Sequence, residues 1–460
     1  MSKSTDAPVS WRRWSAQVDA LRAAISERQG KPAPAAVSQH ARLVFMDTVG
    51  CMLAGRRAPE VAALEAQLGA LEPGAFPLPG GRPLGLRAAC QLLAIGPTWH
   101  EACEGHAYAH GRPGVATIAA LLPLALHRDA SLGAFIDALV TGYEVGTRAG
   151  GWLRMAPGLH VDGNWPALGA AAGVARLLGL PVESAMTALG IAACQLPSSL
   201  YLPIRTGCNV RNLYLAHSAT LGLDSALAAQ AGIDAPDDAL AWYAEHLSPA
   251  ATQVPPLAAA DLILDAYLKP FAAVRHVHYG AIAARRIRER LQQQTEGIHR
   301  IVLTVYQEAA VYCSNPQPSS LLAAQFSLSF GLASMLRFGT LDAASYEAPR
   351  FEDAELRRLE ALVEVHIDAE MTRTMQRGAT VRVVSRLGHC DEQVAADDPD
   401  LALDAAAAIE KFADAAEPTV PPGTSRAFCA ALLQARADMP MRRLWQLLCA
   451  GESRPIPLAA

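Results

Sequence analysis

Apolar residues recur at every third or fourth position from about Ser38 to Ala250, and this spacing predicts one helix after another. Stretches such as ARLVFMDTVGCMLAG and SLGAFIDALVTGYEVGTRAG show the pattern. Alanine and glycine are frequent in them, and small side chains on facing surfaces allow helix axes to approach closely. Gly-Leu-Pro at 179–181 predicts a break between two such helices. This part of the chain is therefore expected to be an all-helical domain.

The pattern changes near the two prolines of VPPLAAADLILDAYLKPF. HRIVLTVYQEA and GATVRVVSRLG are rich in β-branched residues with period-two patterning, so each predicts a strand. Helix-like segments lie between them, and alanine-rich helix returns after Pro399. We therefore expect a mainly α protein, with a large all-helical domain formed by residues 1–262 and 398–460 and a smaller α+β domain formed by residues 263–397.

Composition narrows the class of protein. A chain of 460 residues, 51% of them hydrophobic, can bury a core large enough for two domains. The formal net charge of −5 offers no basic surface for nucleic acid. Because the chain start lacks the apolar core of a signal peptide and no apolar run is long enough to span a bilayer, we expect a soluble cytoplasmic protein without a membrane partner. Nine cysteines with no Cys-x-x-Cys pair predict reduced, mostly buried thiols.

The most polar segment is WHEACEGHAYAHGRPG, residues 99–114. It could be a metal site, an acid–base site or a solvated turn. His100-Glu101 begins like the metalloprotease motif His-Glu-x-x-His, but the fifth residue is Glu104. His106 and His110 are four positions apart, yet the glycines and the proline of the segment predict a loop rather than a helix. Metal binding is therefore not expected.

An acid–base site needs groups from other segments, and the chain offers three further polar junctions between apolar helices. They are GLHVDGNW with His160 and Asp162, RTGCNVRN with Arg205 and Arg211, and YLKPFAAVRHVH with Lys269, Arg275, His276 and His278. Each residue taken singly is as well explained by a structural role. Sequence spacing does not show that these junctions meet.

The order of these segments resembles the MmgE/PrpD family, which includes 2-methylcitrate dehydratase, cis-aconitate decarboxylase and iminodisuccinate epimerase. ARLVFMDTVGCMLAG is similar to the family's opening helix with its Asp-Thr-x-Gly, and ALVTGYEVGTRAG to its Gly-Tyr-Glu-Val helix. GLHVDGNWPALGAAAGVARLLGL and AQFSLSFGLA resemble two further family segments. The resemblance implies a helical domain built from both chain ends, an α+β lid and a homodimer. It also implies a lyase or isomerase that acts without cofactor or metal on a small di- or tricarboxylate between the domains.

Three residues match the family pattern. Glu101 falls at its acidic site residue, His160 at its second histidine, and Lys269 at the lysine before a Pro-aromatic pair. Glu104 with the following glycine matches an acidic-Gly pair of one branch.

Two residues depart from that pattern, since Arg112 stands at a family histidine and Arg211 at a family lysine. A guanidinium with a pKa above about 12 binds carboxylates but is no general base at neutral pH. Proton transfer would then fall to other residues of the site.

The resemblance and the residue types together assign the site. His160 would carry the proton with Lys269 as its partner, and Glu101 would orient that lysine or act as a second acid or base. The predicted catalytic residues are His160, Lys269, Glu101 and His110, and the predicted substrate-binding residues are Arg112, Arg211, Arg275, Glu104, Tyr108 and His276. The reaction could be dehydration, decarboxylation or proton-transfer isomerisation. Two alternatives stay open, a family member that binds a ligand without turnover and a specialised biosynthetic enzyme with a non-carboxylate substrate.

Overall fold

The computed structural model describes residues 11–248, 261–386 and 388–449. Two segments used in the sequence analysis lie outside the described residues. They are the first ten residues, used in the signal-peptide prediction, and the two prolines of VPPLAAAD, used in the prediction of the domain boundary. The protein is mainly helical, with a small mixed sheet in its C-terminal half, as the sequence predicts. None of the described helices is both long and apolar enough to span a membrane.

The N-terminal half consists of helices and one short strand. In chain order they are α1 (Ser15–Arg28), α2 (Ala35–Gly55), α3 (Pro59–Leu71), β1 (Pro73–Phe76), α4 (Leu86–Trp99), α5 (Pro113–His127), α6 (Leu132–Trp152), α7 (Pro166–Leu177), α8 (Val182–Ala193), α9 (Leu202–Thr206), α10 (Tyr214–Gln230) and α11 (Ala239–Leu247). The predicted break at 179–181 separates α7 from α8.

Close helix packing explains the glycine and alanine content. On α6, a Cβ at Gly142 would lie 2.6 Å from the carbonyl oxygen of Gly169 on α7, so a larger residue would force these helices apart. This confirms the expected role of small residues in the helical part.

The C-terminal half contains the sheet. Its elements are α12 (Arg275–Arg290), β2 (Ile298–Val305), α13 (Gln307–Cys313), α14 (Leu321–Gln325), α15 (Leu328–Phe338), α16 (Ala348–Phe351), α17 (Ala354–Ala361), β3 (Val363–Ile367), α18 (Ala369–Arg373), β4 (Ala379–Ser385), β5 (Gly388–Val394), α19 (Ala405–Ala416), α20 (Thr424–Gln434) and α21 (Met441–Cys449). Strands β2 and β4 are the two that the sequence predicts.

The four strands lie in the order β3-β2-β4-β5. Strand β2 pairs with β3 in parallel and with β4 antiparallel, and β4 pairs with β5 antiparallel. Ile301 and Leu303 of β2 and Val381 and Val383 of β4 are buried, and α12 contacts β4 and β5. The alternating burial of β2 and β4 is the reason that their sequences show the period-two pattern.

The buried apolar residues form two separate clusters. The larger one contains residues of the N-terminal half together with α19, α20 and α21. The other contains α12, α15 and the inner face of the sheet. Helix α19 packs on α2, so the end of the chain contacts its beginning.

Candidate active site

The loop between α4 and α5 is paired with the segment that carries Lys269. The Gly105 N–H donates to the Tyr267 carbonyl at 3.0 Å, and the Tyr267 N–H donates to the Gly105 carbonyl at 2.9 Å. A Cβ at Gly105 would meet the Tyr267 ring at less than 3 Å, so this contact requires glycine. Glu101 and His110 of the same loop have positive φ angles of 53° and 54°, a conformation that costs energy in non-glycine residues. The fold thus places Glu101 beside Lys269 at a conformational cost.

Glu101 is the centre of a buried group of charges. Its Oε2 lies 2.9 Å from Nη1 of Arg112 and 2.7 Å from Nη2 of Arg211, and its Oε1 accepts a hydrogen bond from Nζ of Lys269 at 2.8 Å. The Lys269 ammonium also donates to the Glu101 carbonyl oxygen at 2.9 Å. We call Glu101, Asp162, Arg112, Arg211 and Lys269 the inner charge cluster.

Asp162 is the second acid of the inner charge cluster. Its Oδ2 lies 3.2 Å from Nη2 of Arg112 and 3.4 Å from Nη2 of Arg211. Neither carboxylate oxygen accepts a hydrogen bond from a described residue, although Asp162 is only 1% exposed. Burial raises the pKa of this carboxyl, but the two arginines and His160 oppose it and hold the pKa below its ordinary value. Asp162 is therefore ionised at neutral pH.

The ionisation of Glu101 and Lys269 follows from the same contacts. Burial raises the pKa of Glu101, but Arg112, Arg211 and Lys269 together hold it well below its ordinary value. Burial lowers the pKa of the Lys269 ammonium, and Glu101 opposes that effect only in part. Glu101 is a fixed anion, whereas Lys269 is brought closer to a pKa at which it can exchange a proton.

His160 lies beside the inner charge cluster as a neutral ring. Burial, and then Arg211 and Arg112, lower its pKa to about 4 against the opposing effect of Asp162. Its Nδ1 accepts a hydrogen bond from the Asp162 backbone N–H at 3.1 Å. Because a neutral imidazole carries one proton, that proton is on Nε2. His160 is therefore a hydrogen-bond donor through Nε2.

Lys411 of α19 connects these segments. Its ammonium donates to Oδ1 of Asp47 on α2 at 2.6 Å, to the carbonyl of Ala102 at 2.6 Å and to the carbonyl of Lys269 at 3.0 Å. Ala102 follows Glu101 in the chain, so one ammonium holds the backbone at both partners of the Glu101–Lys269 ion pair.

A cavity of about 330 Å³ opens beside the inner charge cluster. Nine of the ten predicted site residues line it, namely Glu101, Glu104, His110, Arg112, His160, Arg211, Lys269, Arg275 and His276. Tyr108 does not, and its ring lies against Gly151, where a Cβ would come within 2.0 Å of it, so its substrate-binding role stays a prediction.

Three of the predicted substrate-binding residues already have partners within the protein. Both Arg112 and Arg211 pair with acids of the inner charge cluster. Glu104 accepts the Gly114 N–H at 2.8 Å and the Tyr143 hydroxyl at 3.0 Å, one on each oxygen, and burial raises its pKa to about 7.

A second set of charges lines the same cavity, and we call Arg154, Arg275, Arg377 and Glu308 the outer charge set. Arg377 pairs with Glu308 at 3.1 Å and lies 3.2 Å from Nδ1 of His110. The guanidinium of Arg275 lies 4.1 Å from the centre of the Tyr267 ring and donates to the Leu401 carbonyl. No ion pair between described residues joins the outer charge set to the inner charge cluster.

Sequence reasoning did not assign Asp162, Arg154, Glu308 or Arg377 to the site. Asp162 could have been assigned, because it follows His160 by two residues in the same polar junction. The other three carry no local motif, and only tertiary structure brings them to the cavity.

The metal interpretation of residues 99–114 finds no geometric support. Nε2 of His106 bonds to the Leu262 carbonyl at 2.9 Å, and its Nδ1 accepts the Ala109 N–H at 3.4 Å, so backbone groups hold this ring. In the part of the chain that the structure describes, no group of three or more His, Cys, Asp or Glu could hold a metal ion. Whether the protein needs a metal stays a prediction.

Fold and site define a mainly helical protein with a polar cavity around buried ion pairs, and comparison with known families identifies its class. The model of the MmgE/PrpD N-terminal domain matches residues 20–246, and that of the MmgE/PrpD C-terminal domain matches residues 271–434. The chain therefore belongs to the MmgE/PrpD family, and this membership indicates dehydratase- or lyase-type activity. A search of curated proteins gave no match.

Proposed function

We propose that this protein is a cofactor-free lyase or isomerase that acts on a small carboxylate-bearing substrate in the cavity. The observation that carries the proposal is the inner charge cluster, whose Lys269 lines the same cavity as the neutral ring of His160. Family membership supports the reaction class.

The charge of the cavity favours an anionic substrate. Six basic residues line it, Arg112, Arg154, Arg211, Lys269, Arg275 and Arg377. Against them stand the acids Glu101, Asp162 and Glu308, and Glu104 with its pKa of about 7. The excess positive charge would attract a carboxylate and stabilise the enolate-like charge that develops when a proton leaves the carbon beside it.

Lys269 is the group that moves the proton in this proposal. The lowered pKa of its ammonium makes proton exchange with the substrate easier, and Glu101 fixes the position of the ammonium. His160 donates its Nε2–H to the substrate oxygen on which charge develops. This role differs from the proton carrier expected from the sequence, because a second proton on His160 would displace the Asp162 N–H from Nδ1.

We further propose that the cavity lies between two domains divided near residues 262 and 398. Four members of the inner charge cluster precede residue 262 and Lys269 follows it closely, whereas Arg275, Glu308 and Arg377 come from the part that carries the sheet. The two apolar clusters support this division.

The test is a screen of hydroxy- and unsaturated carboxylates with mass detection of lost water, lost carbon dioxide or isomer formation. On the substrate found, Lys269→Arg should keep the ion pair with Glu101 but abolish turnover, because a guanidinium does not release a proton at neutral pH. His160→Gln should lower kcat more than it raises KM. Near-normal turnover by a folded Lys269→Arg protein would refute the assignment.

The alternative is a family member that binds a carboxylate without converting it. It is favoured by the pairing of Arg112 and Arg211 with internal acids at positions where the resemblance implies a histidine and a lysine. Carboxylates that raise the melting temperature but give no product in the screen would support it.

A further inference from the structure

The two sets of charges in the cavity are not equally balanced. The inner charge cluster has three cations and two acids, so most of its charge is cancelled by short internal contacts. The outer charge set has three cations and one acid, and among the described residues its only ion pair joins Arg377 to Glu308. The larger share of uncompensated positive charge therefore lies in the outer charge set.

Two members of the outer charge set form no ion pair with a described acid. The Arg154 side chain makes no hydrogen bond or ion pair with any other described residue, and Glu308 acts on it only from beyond ion-pair distance. Arg275 pairs with no described carboxylate and packs against Tyr267. Both are partly buried, and a desolvated cation without an anion in direct contact is costly, so an anionic group of a ligand would offset that cost.

Part of the cavity wall is aromatic. Tyr201, Tyr312 and Phe326 line the cavity, and the rings of Tyr201 and Tyr312 lie 5.0 Å apart. The Tyr201 ring also stacks on His160, at 5.9 Å, and the Tyr312 ring on His276, at 6.4 Å. The wall thus runs as a series of rings from His160, beside the inner charge cluster, to His276.

We propose that the substrate carries two anionic groups separated by an apolar segment, with one group bound by Arg154 and Arg275 and the other end held at Lys269 and His160. This inference rests on the proposed function, since it assumes that the inner charge cluster holds the reacting end. It makes the outer charge set the anchor of the substrate, whereas the sequence suggested Arg112 and Arg211 together with Arg275 for that role. It also favours an extended dianion over a compact polyanion such as citrate, whose three carboxylates are borne by three consecutive carbons.

The test is isothermal titration of the full-length protein with the straight-chain dicarboxylates from malonate to suberate, with hexanoate and with citrate. Affinity should rise with chain length to an optimum beyond malonate, and adipate should bind more tightly than hexanoate and citrate. Arg154→Gln should lower the affinity for adipate about tenfold or more, as expected for a lost charge-assisted hydrogen bond, and remove its advantage over hexanoate.

Arg154→Gln is the decisive variant, because Arg275 also packs on Tyr267 and its loss could disturb the fold. Arg443→Gln is the matched control, since Arg443 is exposed on α21 outside the cavity, and it should bind adipate as the wild type does. Melting curves of each variant verify folding.

An unchanged adipate-to-hexanoate ratio in folded Arg154→Gln would overturn the inference, and so would tighter binding of citrate than of every straight-chain diacid. Neither result bears on turnover, so the proposed function would stand. Conversely, normal turnover by Lys269→Arg would refute the proposed function without altering the chain-length preference.

Discussion

Replacement of Glu101 by Gln tests the inner charge cluster directly. The substitution keeps the shape of the side chain and removes its charge. Glu101 is 2% exposed and contacts three cations at 2.7 to 2.9 Å. After the change, Asp162 would be the only described acid in contact with Arg112 and Arg211, and Lys269 would have none.

The size of the effect follows from the burial of these charges. Loss of one partner of a buried ion pair leaves an uncompensated charge and costs about 3–5 kcal/mol. A chain of 460 residues has an unfolding entropy of about 1 kcal/mol/K if it melts as one unit. Glu101→Gln should therefore lower Tm by about 3–5 °C at neutral pH.

The effect should depend on pH in a defined direction. Because the pKa of Glu101 is held well below its ordinary value, its ionised form stabilises the fold above the unfolded pKa of about 4.3. That stabilisation is lost as the pH falls from there towards the folded pKa. The difference in Tm between wild type and Glu101→Gln should thus be full at pH 7 and shrink below about pH 4.

Differential scanning calorimetry at pH 7 and at pH 3.5 measures both effects. The control is Glu410→Gln, since the pair of Glu410 with Arg426 is exposed and its loss should leave Tm unchanged. A Glu101→Gln protein that melts within 1 °C of the wild type at pH 7 would show that these contacts do not stabilise the fold.

Three further experiments test single contacts by the melting temperatures of variants. Glu104→Gln should stabilise the protein more at pH 8 than at pH 5, because burial raises the Glu104 pKa to about 7. The stability linked to the protonated carboxyl is lost as the pH rises from about 4.3 through 7, whereas the glutamine does not titrate. A pH-independent difference in Tm between the two proteins would contradict this. Gly151→Ala should destabilise by about 1–3 kcal/mol, since its Cβ would meet the Tyr108 ring at 2.0 Å, and an unchanged Tm would refute this packing. Lys411→Met should lower Tm, because buried Asp47 loses the ammonium that contacts it. In the double variant, Asp47→Asn should restore part of the lost Tm. Additive effects of the two substitutions would show that the two groups are not coupled.

The helices could be predicted because their apolar faces repeat along the sequence, and so could strands β2 and β4. Strands β3 (VEVHI) and β5 (GHCDEQV) could not, because they lie at the edges of the sheet and most of their side chains are exposed or half-buried. Their stability comes from pairing with β2 and β4, which no local pattern records.

The site residues also fall into those that the sequence could predict and those that it could not. Glu101, His160 and Lys269 could be assigned because they fall in polar junctions that resemble family motifs. Arg154 and Arg377 could not, since a single arginine in a chain with many others gives no sign of the cavity that it lines. The sequence also does not show that Arg211 is already paired with Glu101.

The contacts of Lys411 set an order of events during synthesis. Asp47 and Lys411 are separated by 364 residues, so at about 5–20 residues per second the ribosome adds the lysine roughly 20–70 seconds after the aspartate. Until then the Asp47 carboxylate lacks its cation, and the carbonyls of Ala102 and Lys269 lack their shared donor. The helices of the N-terminal half and the Gly105–Tyr267 pairing can form earlier, but the backbone at Glu101 and Lys269 gains this shared ammonium only when α19 has left the ribosome and packed against α2. A nascent chain would therefore complete the support of the inner charge cluster only after residue 411 has been added, and a chain that stops before residue 411 would lack these contacts.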